Sequence, residues 1–306
     1  MFTFLARQKR PRTSQIRIGV VVTPWIFCRA SEQSQQGTTT VEQLTKYAAR
    51  AAIGLALSTL ASTIAMAGPP FRTDDPEPVG FDNLEFYTFT TGTRVTGDTA
   101  GAGPAFEFNY GPTEDIQLHV VAPFAFDSPS GEPNHFGYSD TEVGVKYRFI
   151  QEDEKGWRPM VGIFPLVELP TGSENKGLGA GYTRVFLPVW LQKSFGSWDT
   201  YGGGGYWINK HRSTGDKNYW FMGWLLQNHV TKQLTLGGEI FHQTRDNHEG
   251  KASTGFNVGG FYDFSDHHHL LFSVGRDVQH PSDNNRFSWY VGFQITGSFH
   301  PGRHPD

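Results

Sequence analysis

The sequence predicts an all-β fold: a single antiparallel transmembrane β-barrel of about twelve strands with up-and-down topology. Three observations predict it. Residues 82–299 break into short segments in which apolar and polar side chains alternate, as they do along a strand with one oily and one wet face. The connections between segments are in turn short and long, the order of periplasmic turns and outer loops in a membrane barrel. An export signal precedes the segments. A helical period of 3.6 fits none of them. A β-sandwich shares the short strands but does not require this order of connections.

The export signal occupies residues 46–67. Lys46 and Arg50 supply its positive end, residues 51–65 its apolar run, and Ala65-Met66-Ala67 an A-x-A cleavage site. The run is shorter than the roughly 20 residues of a spanning helix. Residues 1–45 are a doubtful extension, basic and then briefly apolar, placed ahead of the natural start. An unusually long signal n-region is the alternative. Without residues 1–67 the chain keeps 18 Lys or Arg against 28 Asp or Glu, near −10. That excludes a basic nucleic-acid footprint. The single cysteine, Cys28, falls in the removed part, so no disulfide framework is expected.

Residues 68–81 read as an irregular periplasmic arm resting at the barrel mouth. Asp74 and Asp75 are expected to be solvated there, with cation binding as the lesser reading. Next, Phe106, Phe108 and Tyr110 alternate with Glu107 and Asn109, and Ile116, Leu118, Val120 and Phe124 with Gln117 and His119. The cleanest segment sets Thr141, Val143, Val145, Tyr147 and Phe149 against Glu142, Lys146 and Arg148. Val161, Ile163, Pro165 and Val167 follow, then Val185, Leu187, Val189 and Leu191. Residues 199–208 carry four consecutive glycines, and 219–227 are apolar on both faces. Spacing alone makes these two strands. The last strand sets Phe287, Trp289, Val291, Phe293 and Ile295 against Ser288, Gly292 and Gln294. Residues 300–306 form a C-terminal tail.

Short turns are expected near 111–115, 151–156, 196–198, 228–232 and 265–267. Long loops are expected near 92–101, 127–139, 171–181, 210–217, 245–253 and 279–285. Tyr87, Phe149, Trp157, Trp198, Trp207, Tyr219, Tyr262 and Tyr290 lie near strand ends and suit an interfacial aromatic girdle, although strands favour aromatics anyway.

Charge on a lipid face costs about 2–4 kcal/mol for Lys or Arg at mid-bilayer. The polar parity is therefore assigned to the lumen. The pore-lining or substrate candidates are Glu107, His119, Glu142, Lys146, Arg148, Arg158, Glu168, Arg184, Trp190 and Glu239, with Glu85 beside them. Phe164, Phe186 and Tyr290 share the inner parity with Trp190. Both signs of charge occur, unlike the mainly basic lining expected of an acidic-sugar channel.

These features point to a cell outer membrane channel for passive uptake of small solutes. A structural barrel filled by its own side chains is the alternative. A lipid-active enzyme is a third class, since His242 and His248 flank a loop holding Ser253, and His211 lies near Ser213. Neither set has a triad-like spacing, so no enzyme is expected. His267-His268-His269 cannot share one side of a strand, and no metal or cofactor is expected. Residues 177–181 resemble a phosphate-binding glycine run but open no helix, so they read as a flexible outer loop. The expected partners are outer-membrane lipid, a small solute and, transiently, periplasmic chaperones and the barrel-insertion machinery.

Three motifs add a resemblance. Gly68-Pro69-Pro70-Phe71-Arg72-Thr73-Asp74-Asp75-Pro76, Glu168-Leu169-Pro170-Thr171-Gly172 and the glycines between Tyr201 and Tyr206 resemble the outer-membrane family named for the meta pathway of phenol degradation. The resemblance implies a barrel, a channel or transporter role, and a link to aromatic compounds. It brings no catalytic residues.

Overall fold

The computed structural model describes residues 69–153, 155–209 and 216–300. The expected extension, signal segment and Cys28, with His211, Ser213 and residues 301–306 of the tail, lie outside the described residues.

Fourteen strand segments build a closed, twelve-stranded, up-and-down antiparallel barrel. They are β1 (Asn83–Val95), β2 (Asp98–Thr113), β3 (Ile116–Pro129), β4 (His135–Tyr138), β5 (Thr141–Ile150), β6 (Met160–Ile163), β7 (Leu166–Leu169), β8 (Arg184–Phe195), β9 (Trp198–Asn209), β10 (Tyr219–His229), β11 (Leu234–Gln243), β12 (Ser253–Ser265), β13 (His268–Gln279) and β14 (Phe287–Ser298). β1 pairs with β14 from Asn83↔Ser298 to Arg94↔Phe287, which closes the sheet and leaves no free edge.

Two wall strands are interrupted, and each interruption has a local cause. β4 and β5 both pair with β3, and the gap between them holds Ser139 and Asp140. The Asp140 carboxylate instead accepts from Gly172 N at 2.9 Å and Ala180 N at 2.6 Å. These bonds and the buried Leu178 tie the 170–183 loop to the rim, correcting the expectation of a flexible glycine loop. β6 and β7 both pair with β5 and with β8. Pro165 sits between them and has no N–H to give the ladder.

The first connection corrects another expectation. No long loop spans 92–101: β1 and β2 pair up to Val95↔Asp98 across a tight turn at Thr96-Gly97, with Gly97 at φ +82°. Gly92 and Gly101, which suggested a loop, are strand residues with a packing role. A Cβ on Gly92 would stand 2.4 Å from the Trp289 ring, and one on Gly101 2.7 Å from Phe126. Those two rings stack with centroids 6.4 Å apart.

The alternation holds along the strands, shifting parity in β2 where an irregularity turns both Ala102 and Ala105 inward. Leu187, Val189, Trp220, Met222, Trp224, Leu226, Leu236, Ile240, Val274 and Val291 are exposed on the outside. Tyr201, Trp207, Tyr219, Phe221, Leu225 and Gln227 are buried inside. This explains why 219–227 is apolar on both parities. One face meets the outside, and the other joins an inner cluster of Phe164, Leu166, Phe186, Trp190, Trp207, Tyr219, Phe221 and Phe241. The girdle expectation divides accordingly. Phe149, Trp157, Trp198 and Tyr262 are exposed, whereas Tyr87, Trp207, Tyr219 and Tyr290 are buried within the barrel. Strand-end position does not say which way a ring turns.

Candidate functional site

Residues 69–81 do not rest at the mouth as a solvated arm; they run up inside the barrel. Pro69, Pro70, Pro76 and Pro78 lack the N–H that strand pairing needs, so this stretch cannot add to a ladder. Side chains of the wall hold it instead. At the turn end, Val79 N donates to Gln117 Oε1 at 2.9 Å, and Gln192 Nε2 donates to Glu77 Oε2 at 3.1 Å. Higher up, Lys146 Nζ lies 3.0 Å from Asp74 Oδ1 and 3.4 Å from Asp75 Oδ1. At mid-lumen, Glu239 accepts from Arg72 N (2.8 Å), Thr73 N (2.7 Å) and Thr73 Oγ1 (2.6 Å). The Arg72 guanidinium lies 4.4 Å from the Phe241 ring centroid and 5.1 Å from that of Phe221. Ser273 Oγ donates to Pro70 O at 2.6 Å nearer the loop end.

Asp75 and Thr73 are fully buried, which corrects the expectation that the aspartates are solvated. Burial would raise both aspartates. The Lys146 charge and donated hydrogen bonds carry Asp74 below its ordinary value. Asp75 is pushed well above its own by burial and by the charges of Asp74 and Glu77, against the pull of Lys146. Glycines make the room. A Cβ on Gly223 would stand 2.1 Å from Thr73 Oγ1, and one on Gly162 3.0 Å from Pro76 Cβ.

The residues singled out from sequence fall into distinct groups. Glu107, His119 and Glu142 form one network: Asn109 Nδ2 donates to Glu107 at 2.9 Å, and His119 bridges Asn109 Oδ1 (2.7 Å) and Glu142 Oε1 (3.1 Å). Glu85 joins it by accepting from Asn109 Nδ2 at 3.3 Å and also accepts from Tyr87 OH at 2.8 Å. Glu168 and Arg184 pair at 2.8 Å, and Arg184 also donates to Asn209 (3.0 Å) and Tyr219 OH (2.9 Å). Lys146 and Glu239 grip the arm. Trp190 packs in the aromatic cluster. Arg148 is half-buried at the turn-end rim, 2.9 Å from Asp115. Arg158 is the correction: it is exposed in the turn before β6, its Nε donating to Gln151 O at 3.1 Å, and does not enter the lumen. The alternation count that placed it inside ran past the end of the strand.

Sequence reasoning missed the arm as a lumen component and missed the inward polar residues of β12 and β13. These include Ser253, Asn257, Ser273 and Asp277. Ser253 Oγ donates to Asp277 Oδ2. His242 Nδ1 lies 2.8 Å from Thr254 Oγ1 on the opposite face of the wall from Ser253, so strand alternation separates the suspected His–Ser pair. His268 and His269 likewise diverge, toward Ser265 (2.9 Å) and Asp263 (2.7 Å) respectively. Above Arg72 the lumen opens into a cavity of about 200 Å³ floored by Pro69–Arg72 and walled by β1, β12, β13 and β14.

With this geometry in hand, the likenesses to known proteins have a context. A crystal structure of an outer membrane channel from Pseudomonas putida F1 is similar, with a TM-score of 0.58 at 16% identity, over 73% of this chain and 98% of that one. The NanC porin follows with a TM-score of 0.49 at 12% identity, over 69% of this chain and 98% of the porin. Outer membrane phospholipase A from Escherichia coli is more distant, with a TM-score of 0.38 at 11% identity, over 77% of this chain and 96% of the enzyme. The last two are too loose to weigh. No curated protein matches the sequence. The first establishes a shared fold, that of an outer membrane channel. A family profile described as "Putative MetA-pathway of phenol degradation" matches residues 70–295, an interval that takes in the arm from Pro70 and all but the last residues of the barrel, and the chain belongs to that family.

Proposed function

We propose that this protein is an outer-membrane channel for passive uptake of a small solute with an aromatic or otherwise hydrophobic body, and that residues 69–81 are its internal gate. One observation carries the reading: the arm is held by side chains and pairs with no strand among the described residues. Such contacts can be exchanged for water or solute without breaking a wall hydrogen bond. With the arm withdrawn, the passage is lined by Lys146, Glu142 and Glu239 beside the rings of Phe164, Phe221 and Phe241. Charges near ring faces suit a solute that is itself a ring with a polar edge. The exposed apolar outside supports contact with outer-membrane lipid. The family's link to phenol degradation supports an aromatic solute. The separation of His242 from Ser253 supports a non-enzymatic role.

Planar-bilayer conductance and liposome uptake of toluene or catechol test this reading. Deleting residues 69–80 should raise conductance and uptake well above those of the full mature chain. Unchanged values in a folded barrel would refute the gate. The paired charges Glu168–Arg184 and His119–Glu142 favour a second reading, a filled structural barrel. It prevails if neither protein conducts or takes up solute.

A further inference from the structure

The wall sorts its charges between its two faces. In β1–β3 and β11–β14 every Asp and Glu falls on the inward parity. The two arginines of these strands, Arg94 on β1 and Arg276 on β13, fall on the outward parity, and both are exposed. Thr93, Ser288 and Gly275 stand in one cross-strand row through β1, β14 and β13. The next residues toward the loops are Arg94, Phe287 and Arg276. The two arginines therefore flank Phe287 at one height. They are two strand spacings apart, roughly 10 Å, which is within the joint reach of their side chains. Arg286, one residue before Phe287, is exposed as well, and its N donates to Arg94 O at 2.8 Å.

That height is the top of the apolar band. Phe287, Val291 and Ile295 are exposed in one outward column of β14, and the arginines stand at its loop-side end. A charge is destabilising at mid-bilayer and nearly neutral at the edge. The patch thus lies level with lipid headgroups, on the end that carries the long loops. Just below it, Phe287 stacks on Trp289 with centroids 6.1 Å apart, and Trp289 on Phe126 at 6.4 Å.

None of the three guanidinium groups forms an ion pair among the described residues. Arg276 Nε is directed only at a carbonyl, Asp277 O, at 3.4 Å, and Asp283 in the connection above is paired with Lys251 at 2.9 Å. A guanidinium presents two parallel N–H donors that match a phosphate. Three of them in one patch suit a headgroup with more than one phosphate. The exposed rings below offer flat faces to sugars, and Val274, Val291 and Ile240 are exposed apolar surface for acyl chains.

We propose that this outward patch binds a phosphorylated glycolipid of the outer leaflet, with Arg94 and Arg276 holding its phosphates and the Phe287 and Trp289 rings lying against its sugars. The site rests on placement of the barrel in an outer membrane. It lies outside the lumen, so it stands or falls apart from the passage of any solute.

The test is native mass spectrometry of the full mature protein in a non-ionic detergent, titrated with three lipids. They are bisphosphorylated lipid A, the same lipid A with both phosphates removed, and phosphatidylglycerol. Bisphosphorylated lipid A should bind at least about tenfold more tightly than either of the others. Arg94→Gln combined with Arg276→Gln should bring it down to the level of the dephosphorylated form. Either single replacement should give a smaller loss and serves if the double variant does not fold. Lys193→Gln, on the outward parity of β8 at the turn end, should leave binding unchanged. Equal binding of dephosphorylated lipid A or of phosphatidylglycerol overturns the proposal. So does binding unmoved by the arginine replacements, or an equal loss in Lys193→Gln.

Discussion

The arm is gripped by two walls of the lumen that differ in kind. On the β3–β5 side the inward groups are charged, and Asp74 and Asp75 meet Lys146 as a buried ion cluster. On the β10–β11 side the rings of Phe221 and Phe241 stand beside Glu239. There Arg72 lies over Phe221 and Phe241, while Glu239 takes two backbone amides and the Thr73 hydroxyl. The ion cluster is strong only while complete, because removing one partner leaves a charge buried and alone. The ring side is a sum of smaller, more separable contacts. One side therefore acts as a latch and the other as a saddle.

The largest test of that contrast is Lys146→Ala. Breaking a buried charge cluster costs about 3–5 kcal/mol. The arm should leave the lumen, seen as conductance close to that of the arm-deleted chain. An arm still protected from protease would show that the latch is not at Lys146. Glu239→Gln removes the charge behind several hydrogen bonds on the other side. Hydrogen bonds to charged groups are worth about 1.5–3 kcal/mol, so a partial rise in open probability is expected. If it matched Lys146→Ala, the two walls would not differ. Gly223→Val fills the place of the Thr73 hydroxyl and should cost about 1–3 kcal/mol by overpacking, read as faster cleavage of the arm with barrel melting unchanged. The smallest effect belongs to Arg148→Ala. Its partner Asp115 is 42% exposed at the rim, so the loss should stay below about 1 kcal/mol and leave conductance unmoved.

The wall of the barrel was legible because its signal is local. Each of the parities read from Phe106–Tyr110, Thr141–Phe149 and Phe287–Ile295 is found in the structure, since a half-buried strand must alternate wherever it stands. Glycine was harder to read. Gly92 and Gly101 suggested a loop, but they are flat places for the Trp289 and Phe126 rings. A missing side chain looks the same in a sequence whether it frees a turn or admits a neighbour. The inward charges were found as a set, yet their pairing was not. Nothing near Lys146 announces Asp74, and nothing near Glu239 announces Thr73.

Taken by itself, the sequence determined the antiparallel barrel, which face turns inward in the strands that visibly alternate, and most of the charged wall residues that line the interior. Those properties follow from the two-residue period that these strands carry within themselves. Only the tertiary structure decided that the proline-rich arm threads the lumen, which wall charges grip it, and where a cavity is left above it. Those contacts join residues as far apart as Arg72 and Gln243. The arm itself has no period, so its place is set by the shape and charge of a barrel that exists only once the strands have closed.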